Sequence, residues 1–149
     1  MLQGELDKAV HVHRVQFETE FRVLSDIWTK LSLLRAAMGG LRPRMDVVDP
    51  DEDPKERLAR RLRRFEEAFD TFVRAVDDQS PFYPEEIFQE LSAALQIARR
   101  ESTSVSVERP EQKAAWFKEG VANFDALVQS ANRVSSLIRK RLSDLQVHP

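Results

Sequence analysis

The sequence contains no cysteine, which excludes disulfide bonds, a thiol nucleophile and a thiolate zinc site. Only 4 of its 149 residues are glycine, too few for a turn-dense all-β fold or a glycine-rich phosphate loop. It has no uninterrupted apolar run long enough for a membrane span or a signal peptide. The net charge of −2 gives no general attraction to nucleic acid or anionic lipid. These absences favour a cytoplasmic chain without a cofactor.

Apolar residues make up 42% of the chain and include 9 phenylalanines, a composition that does not fit disorder. The length suits one domain, here residues 1–149. Apolar residues recur every three or four positions in four segments, which is the helical period. The pattern predicts helices over about residues 2–39, 54–77, 84–101 and 110–146.

The first and last predicted helices are the longest, and both carry extended apolar stripes. In the first helix the stripe has a mean step of about 3.6 residues. It consists of Leu6, Val10, His13, Phe17, Phe21, Leu24, Trp28, Leu31, Leu34 and Met38. In the last helix the stripe follows 4-3 steps, which favour long, nearly parallel packing against another helix. It consists of Phe117, Val121, Phe124, Val128, Ala131, Ser135, Ile138, Leu142 and Leu145.

Local signals place the helix ends. Gly39 and Gly40 end the first helix, and Asp53 followed by Pro54 is a strong start for the second. Residues 102–107 alternate polar and β-branched side chains, so we expect an extended connection there. The first helix begins without a start signal, which predicts further sequence upstream of Met1.

The expected fold is all-α, an antiparallel four-helix bundle. Helix lengths place Phe17 level with Val76 and Pro84 level with Val128. The two long helices then extend beyond the bundle as a helical-hairpin stalk, in which residues 1–14 pair with 131–146. We expect Phe69 and Phe124 in the core. Phe82 is expected to close the end of the bundle from which the stalk projects. The alternative is an exposed aromatic side chain that anchors a partner.

The stalk is the predicted interaction surface, because two helices cannot cover their own apolar faces. Its partner is a second copy of the chain or another helical protein, and the function is a non-enzymatic interaction or scaffold module. The residues expected to carry it are Leu6, Val10, His13, Leu137, Ile138, Leu142 and Leu145.

Metal and enzyme chemistry have little support in the sequence. His11 and His13 are two positions apart, so on a helix they point about 200° apart and cannot share an ion. No segment supplies a nucleophile beside a base. The chain is therefore predicted not to be an enzyme.

Nucleic-acid chemistry is the alternative function. Arg141 and His148 fit the Arg-x6-His spacing of HEPN ribonucleases, in which both residues act on the scissile phosphate. A basic patch of Arg57, Arg60, Arg61, Arg63 and Arg64 could contact a phosphate backbone. An acidic run over residues 46–53 precedes this patch and can neutralise it. Nucleic-acid binding is therefore not the favoured prediction.

Two segments resemble parts of uncharacterised bacterial helical proteins: HVHRVQFETEF, residues 11–21, and SPFYPEEIF, residues 80–88. In those proteins a membrane helix and a coiled coil often precede the matching region. The resemblance implies a soluble C-terminal module of a longer protein that is tethered to a membrane upstream. It assigns no catalytic residue.

Overall fold

The computed structural model describes residues 2–107 and 113–147. It contains four long helices: α1 (Leu2–Gly39), α2 (Pro54–Asp78), α3 (Glu85–Val105) and α4 (Lys113–Val147). A 3-10 turn, Ser80–Phe82, joins α2 to α3, and no strand occurs within the two described ranges. The all-α four-helix bundle predicted from the sequence is confirmed.

The helices pack in sequence order around one apolar core, with α1 against α2 and α4, and α3 against α2 and α4. The largest fully buried apolar side chains come from all four helices and from the start of the linker after α1. They are Phe65, Phe72, Leu24, Ile27, Leu31, Leu34, Met38, Leu41, Ile87, Leu91 and Leu127.

The predicted start of α2 is confirmed in atomic detail. The Asp53 carboxylate accepts a hydrogen bond from the Lys55 backbone N–H at 3.1 Å, and Pro54 occupies the first helical position. This arrangement satisfies one of the amide donors that a helix start leaves unpaired.

Residues 102–105 are helical, so the expected extended connection over 102–107 is wrong. The hydroxyls of Ser102 and Thr103 donate hydrogen bonds to the Arg99 carbonyl, so both donors are satisfied within the helix. Glu101, Ser102 and Val105 are buried, so tertiary contacts outweigh the local preference of this segment.

In the first half of α4 the buried stripe lies one position away from the predicted one, whereas Ala131 and Leu145 are buried as predicted. Phe117 is exposed and Phe124 is only half-buried, and several of the inward positions hold polar or small residues. The buried positions are Gly120, Asn123, Leu127, Ser130, Ala131, Val134 and Leu145. Similarly, Glu20 is buried in α1 while Phe21 is exposed. In contrast, Phe69 is buried as predicted.

The pairing of helices also differs from the expected one. Gln79 of the α2–α3 connection donates to Asp26 of α1 at 3.0 Å, so the end of α2 is level with residue 26 and not with Phe17. Arg133 of α4 donates to Glu90 of α3 at 2.9 Å, which puts Pro84 well beyond the level of Val128.

As a result, residues 131–146 of α4 do not pair with residues 1–14. Arg141 pairs with Glu20, and the Phe124 ring lies beside Gly39. Counting six residues from Arg141 along antiparallel helices puts Val147 level with about residue 14 of α1. The expected two-helix stalk is therefore a single helix, residues 2–14, which we call the overhang.

The connection between α2 and α3 closes the overhang end of the bundle with a different aromatic residue from the one expected. Phe82 is 54% exposed, whereas Tyr83 is buried and donates its hydroxyl to the Val76 carbonyl at 2.7 Å. The tyrosine hydroxyl pairs with a carbonyl at the end of α2, which a phenylalanine could not do.

Candidate functional site

The candidate functional surface is the apolar side of the overhang. Leu2, Leu6 and Val10 are 85%, 58% and 43% exposed on this side, and His13 is half-buried. Val12, which is 63% exposed, lies on the other side of the helix. By contrast, every buried residue of α1 lies between Glu20 and Met38. A run of large exposed apolar side chains on one helix is typical of an interaction surface.

This stripe is a continuation of the core. Leu6, Val10, His13 and Phe17 lead in 4-3 steps to Glu20, and the same steps continue along the buried face to Met38. Within the bundle, α4 packs along α1. Near residue 14 the described part of α4 ends, while the stripe on α1 continues. The overhang thus exposes the continuation of the α1 face that packs against other helices within the bundle.

The base of the overhang is fixed by an ion pair between α1 and α4. Arg141 donates two hydrogen bonds to the Glu20 carboxylate, at 2.8 and 2.7 Å. These bonds raise the pKa of the Arg141 guanidinium above its usual range. Beside the pair, a shallow groove of about 460 Å³ lies between α1, α4 and the turn that carries the exposed Phe82 ring.

Of the seven residues expected to form the interaction surface, only Leu6 and Val10 are exposed. His13 is half-buried. Leu137, Ile138 and Leu142 are partly buried and pack against the core of their own chain, and Leu145 is buried. The structure therefore divides the expected surface into an exposed half on α1 and a half on α4 that α1 and the core cover.

Acidic residues of the linker cover part of the predicted basic patch. Arg60 donates to Glu52 at 3.1 and 3.2 Å, and Arg57 lies 3.7 Å from the same carboxylate. Arg61 donates to Asp46 at 2.5 Å. The hydrogen bonds from Arg61 and Arg60 lower the pKa values of Asp46 and Glu52, respectively.

Three arginines of the patch, Arg60, Arg63 and Arg64, are exposed, Arg60 although it pairs with Glu52. Because Arg57, Arg60 and Arg61 face linker carboxylates, the field of the patch is partly neutralised within the chain. A protein that binds a phosphate backbone needs an uncompensated basic surface, so this arrangement weakens the basis for a nucleic-acid interface.

The predicted Arg141–His148 pair stays a prediction, because the structure describes only one of its two members. Arg141 is engaged by Glu20 through two hydrogen bonds, and His148 lies outside the part of the chain that the structure describes. The position of Arg141 is explained by its contact with α1.

Sequence reasoning missed a buried polar network at the opposite end of the bundle. Arg42, from the linker, donates to both carboxylate oxygens of Glu101 and to the Trp116 carbonyl. The Arg42 guanidinium also stacks over the Trp116 ring, 4.7 Å from its centroid. Asn123 donates to Glu101 at 3.1 Å, so three elements meet at one carboxylate.

A weak signal for this network is present in the sequence. Glu101 continues the apolar row of α3 after Leu91, Ala94 and Ala98, at a position where an apolar residue is expected. A polar residue within an apolar stripe indicates a buried partner. The partner, Arg42, could not be identified because it lies in a linker without a periodic pattern.

The described residues contain no group of three or more His, Asp or Glu side chains that could hold a metal ion. Within the same ranges, no helix is both long and apolar enough to cross a membrane. No family model, curated protein or solved structure matches this chain.

Proposed function

We propose that this chain is a non-enzymatic helical interaction module that binds a helix on the exposed stripe of the overhang. The observation that supports this proposal is the continuity of the stripe. The 4-3 pattern that is buried from Glu20 to Met38 continues to Leu6, where the side chains are exposed. An amphipathic helical face of this kind is recognised by another helix through side chains at positions i, i+3, i+4 and i+7.

The affinity expected of such a surface is modest. If a partner hides on the order of 600 Å² of apolar surface, the gain is roughly 15 kcal/mol at about 25 cal/mol per Å². Loss of rigid-body freedom and ordering of side chains offset most of this gain. Association in the micromolar range is therefore expected, which suits a reversible scaffold contact.

The nucleic-acid alternative, including a HEPN-like ribonuclease, has less support. Three arginines of its basic patch face the carboxylates of Asp46 and Glu52, and Arg141 faces Glu20. These pairs neutralise part of the positive charge that binding to a phosphate backbone would need. We retain the interaction module as the proposed function.

Site-specific photo-crosslinking in the cells that make the protein tests this proposal. A photoreactive residue in place of Val10 is expected to give discrete cross-linked products. The same residue in place of Leu33 is the matched control, because Leu33 is 57% exposed but lies outside the overhang. Products at position 10 should disappear when Leu6→Glu is added. Equal products at both positions, or none at position 10, would contradict the proposal.

A further inference from the structure

We propose that the partner helix is the overhang of a second copy of this chain, bound antiparallel with Leu6 of each copy against Val10 of the other. This inference rests on the proposed function and specifies the partner at the same surface. It is supported by the position of α4, by the heptad spacing of the overhang and by the order of its polar and apolar residues.

The position of α4 determines the direction of pairing. From about residue 15 onward, α4 packs on the side of α1 that the stripe follows, as the Glu20–Arg141 pair and the buried Leu145 indicate. A parallel second copy on this stripe would extend its own α1 into the space that α4 occupies. An antiparallel copy directs its bundle away from α4, so both bundles fit at opposite ends of the paired overhangs.

The heptad spacing and α4 together determine the register. The inward positions of the overhang are Gln3, Leu6, Val10 and His13, which follow 3-4-3 steps. The next register of this pattern pairs Leu6 with Phe17 of the other copy. In that register the second helix would reach the part of α1 against which α4 packs. Pairing Leu6 with Val10 places residues 2–14 of the second helix beside residues 2–14 of the first.

The order of these four residues is polar, apolar, apolar, polar, and it reads the same in both directions. In the proposed register Leu6 and Val10 form two apolar layers, and Gln3 of each copy meets His13 of the other. Polar residues at such inward positions specify register and direction in coiled coils. The contact uses the same surface on both copies, so it closes as a two-fold dimer and leaves no open end for further growth.

Disulfide trapping tests both the direction and the register, and the absence of native cysteine makes it specific. Leu6→Cys and Val10→Cys variants, one carrying an affinity tag, are mixed at high concentration and oxidised. A disulfide requires Cα atoms roughly 4.4–6.8 Å apart. In the proposed register, residue 6 faces residue 10, whereas two residues 6 are offset by about 6 Å along the axis.

The expected major product is the mixed disulfide between positions 6 and 10. Leu33→Cys, with nearly the same exposure as Leu6 but on the bundle, gives the background of random oxidation. Predominant 6–6 and 10–10 products would establish a parallel arrangement and overturn the inference. At low concentration, where the chain is monomeric, the thermal midpoint of each reduced variant should equal that of the parent chain, because neither position is buried.

Sedimentation of the unmodified chain completes the test and separates this inference from the proposed function. The sedimenting mass should rise from that of one chain toward that of two across the micromolar range, and Leu6→Glu should abolish the rise. A chain that stays monomeric overturns the second copy as partner. If photo-crosslinks at position 10 then lead to a different helical protein, the interaction module remains supported without self-association.

Discussion

At the scale of single residues, the buried pair of Arg42 and Glu101 determines how the linker closes the bundle. Their side chains are 1% and 2% exposed, and the guanidinium is also held by the Trp116 carbonyl. A buried charge that loses its partner is strongly unfavourable, typically by about 3–5 kcal/mol. The pair therefore specifies one position of the linker on α3 and α4.

Gly120 is the residue that makes room for this pair. A Cβ atom at position 120 would lie 2.9 Å from both Cδ and Nε of Arg42, whose guanidinium is fixed by its partners. We expect Gly120→Ala to destabilise the chain by about 1–3 kcal/mol despite the better helix propensity of alanine. Urea unfolding measures the change. Gly4→Ala is the control, because nothing lies within 4 Å of a Cβ at that position. Equal effects of the two substitutions would show that Arg42 moves freely.

Phe69 and Phe124 were both predicted to be core residues, but their burial differs. Phe69 is buried against Phe65 and under the Arg99 guanidinium, which lies 4.0 Å from the ring centroid. Phe69→Ala should cost about 3–5 kcal/mol in unfolding free energy. Phe124→Ala should cost clearly less, because the ring is half-buried. Denaturant unfolding of both variants checks the order, and a larger loss for Phe124→Ala would contradict the observed phase of α4.

Tyr83 is the only tyrosine in the chain, so its ionisation can be followed by ultraviolet absorbance without interference from another phenol. Burial, and to a lesser extent the charge of Asp77, raise its pKa to about 12. The neutral phenol is therefore favoured by folding. This contribution to stability is complete below the unfolded pKa of about 10 and is lost as pH rises toward 12.

We expect the tyrosinate absorbance of the folded chain to appear near pH 12. The melting temperature should fall between about pH 10 and 12, and Tyr83→Phe should reduce this fall, although it removes the hydrogen bond to Val76. Titration of the folded chain near pH 10 would mean that Tyr83 is not buried.

At the scale of elements, the sequence predicted α1 and the start of α2 well because their signals are local. Gly39, Asp53 and Pro54 act within one helical turn. Prediction failed where distant partners decide the structure. Residues 102–105 are helical beside Glu101, which binds the distant Arg42. The buried face of α4 contains Asn123 and Ser130, which an apolar pattern cannot identify.

The linker and α2 form the element pair on which the nucleic-acid alternative depends. Replacing Asp46 and Glu52 with their amides, Asp46→Asn and Glu52→Gln, removes the charges that face Arg57, Arg60 and Arg61. The double variant should elute from a heparin column at higher salt than the parent chain, because polyanion binding increases with uncompensated cations. Asp70→Asn with Asp78→Asn, both at exposed positions of α2, controls for net charge. An equal shift in the control would show that overall charge, not the patch, governs binding.

At the scale of the whole molecule, two Arg–Glu pairs lie at opposite ends of the bundle. Arg42–Glu101 joins the linker to α3, and Glu20–Arg141 joins α1 to α4. Each links segments distant in the sequence, so together they restrict how the helices slide along one another. The sequence-based stalk was wrong because helix lengths alone do not determine register. The observed register is the one in which both pairs form.

The same arrangement separates the overhang from the folding of the bundle. The buried residues of α1 start at Glu20. The apolar core of the four helices lies on the side of Glu20 away from the overhang. We expect a chain that starts at Val15 to keep the unfolding free energy of the full chain within about 1 kcal/mol under dilute conditions, since removal of exposed residues away from special contacts changes stability little. The truncated chain should also show no concentration dependence of its mass or melting temperature, whereas the full chain should show both. Denaturant unfolding and sedimentation over a shared concentration series measure the two effects.

Loss of cooperative unfolding in the truncated chain would place the overhang in the folding unit. Concentration dependence that survives truncation would assign association to another surface.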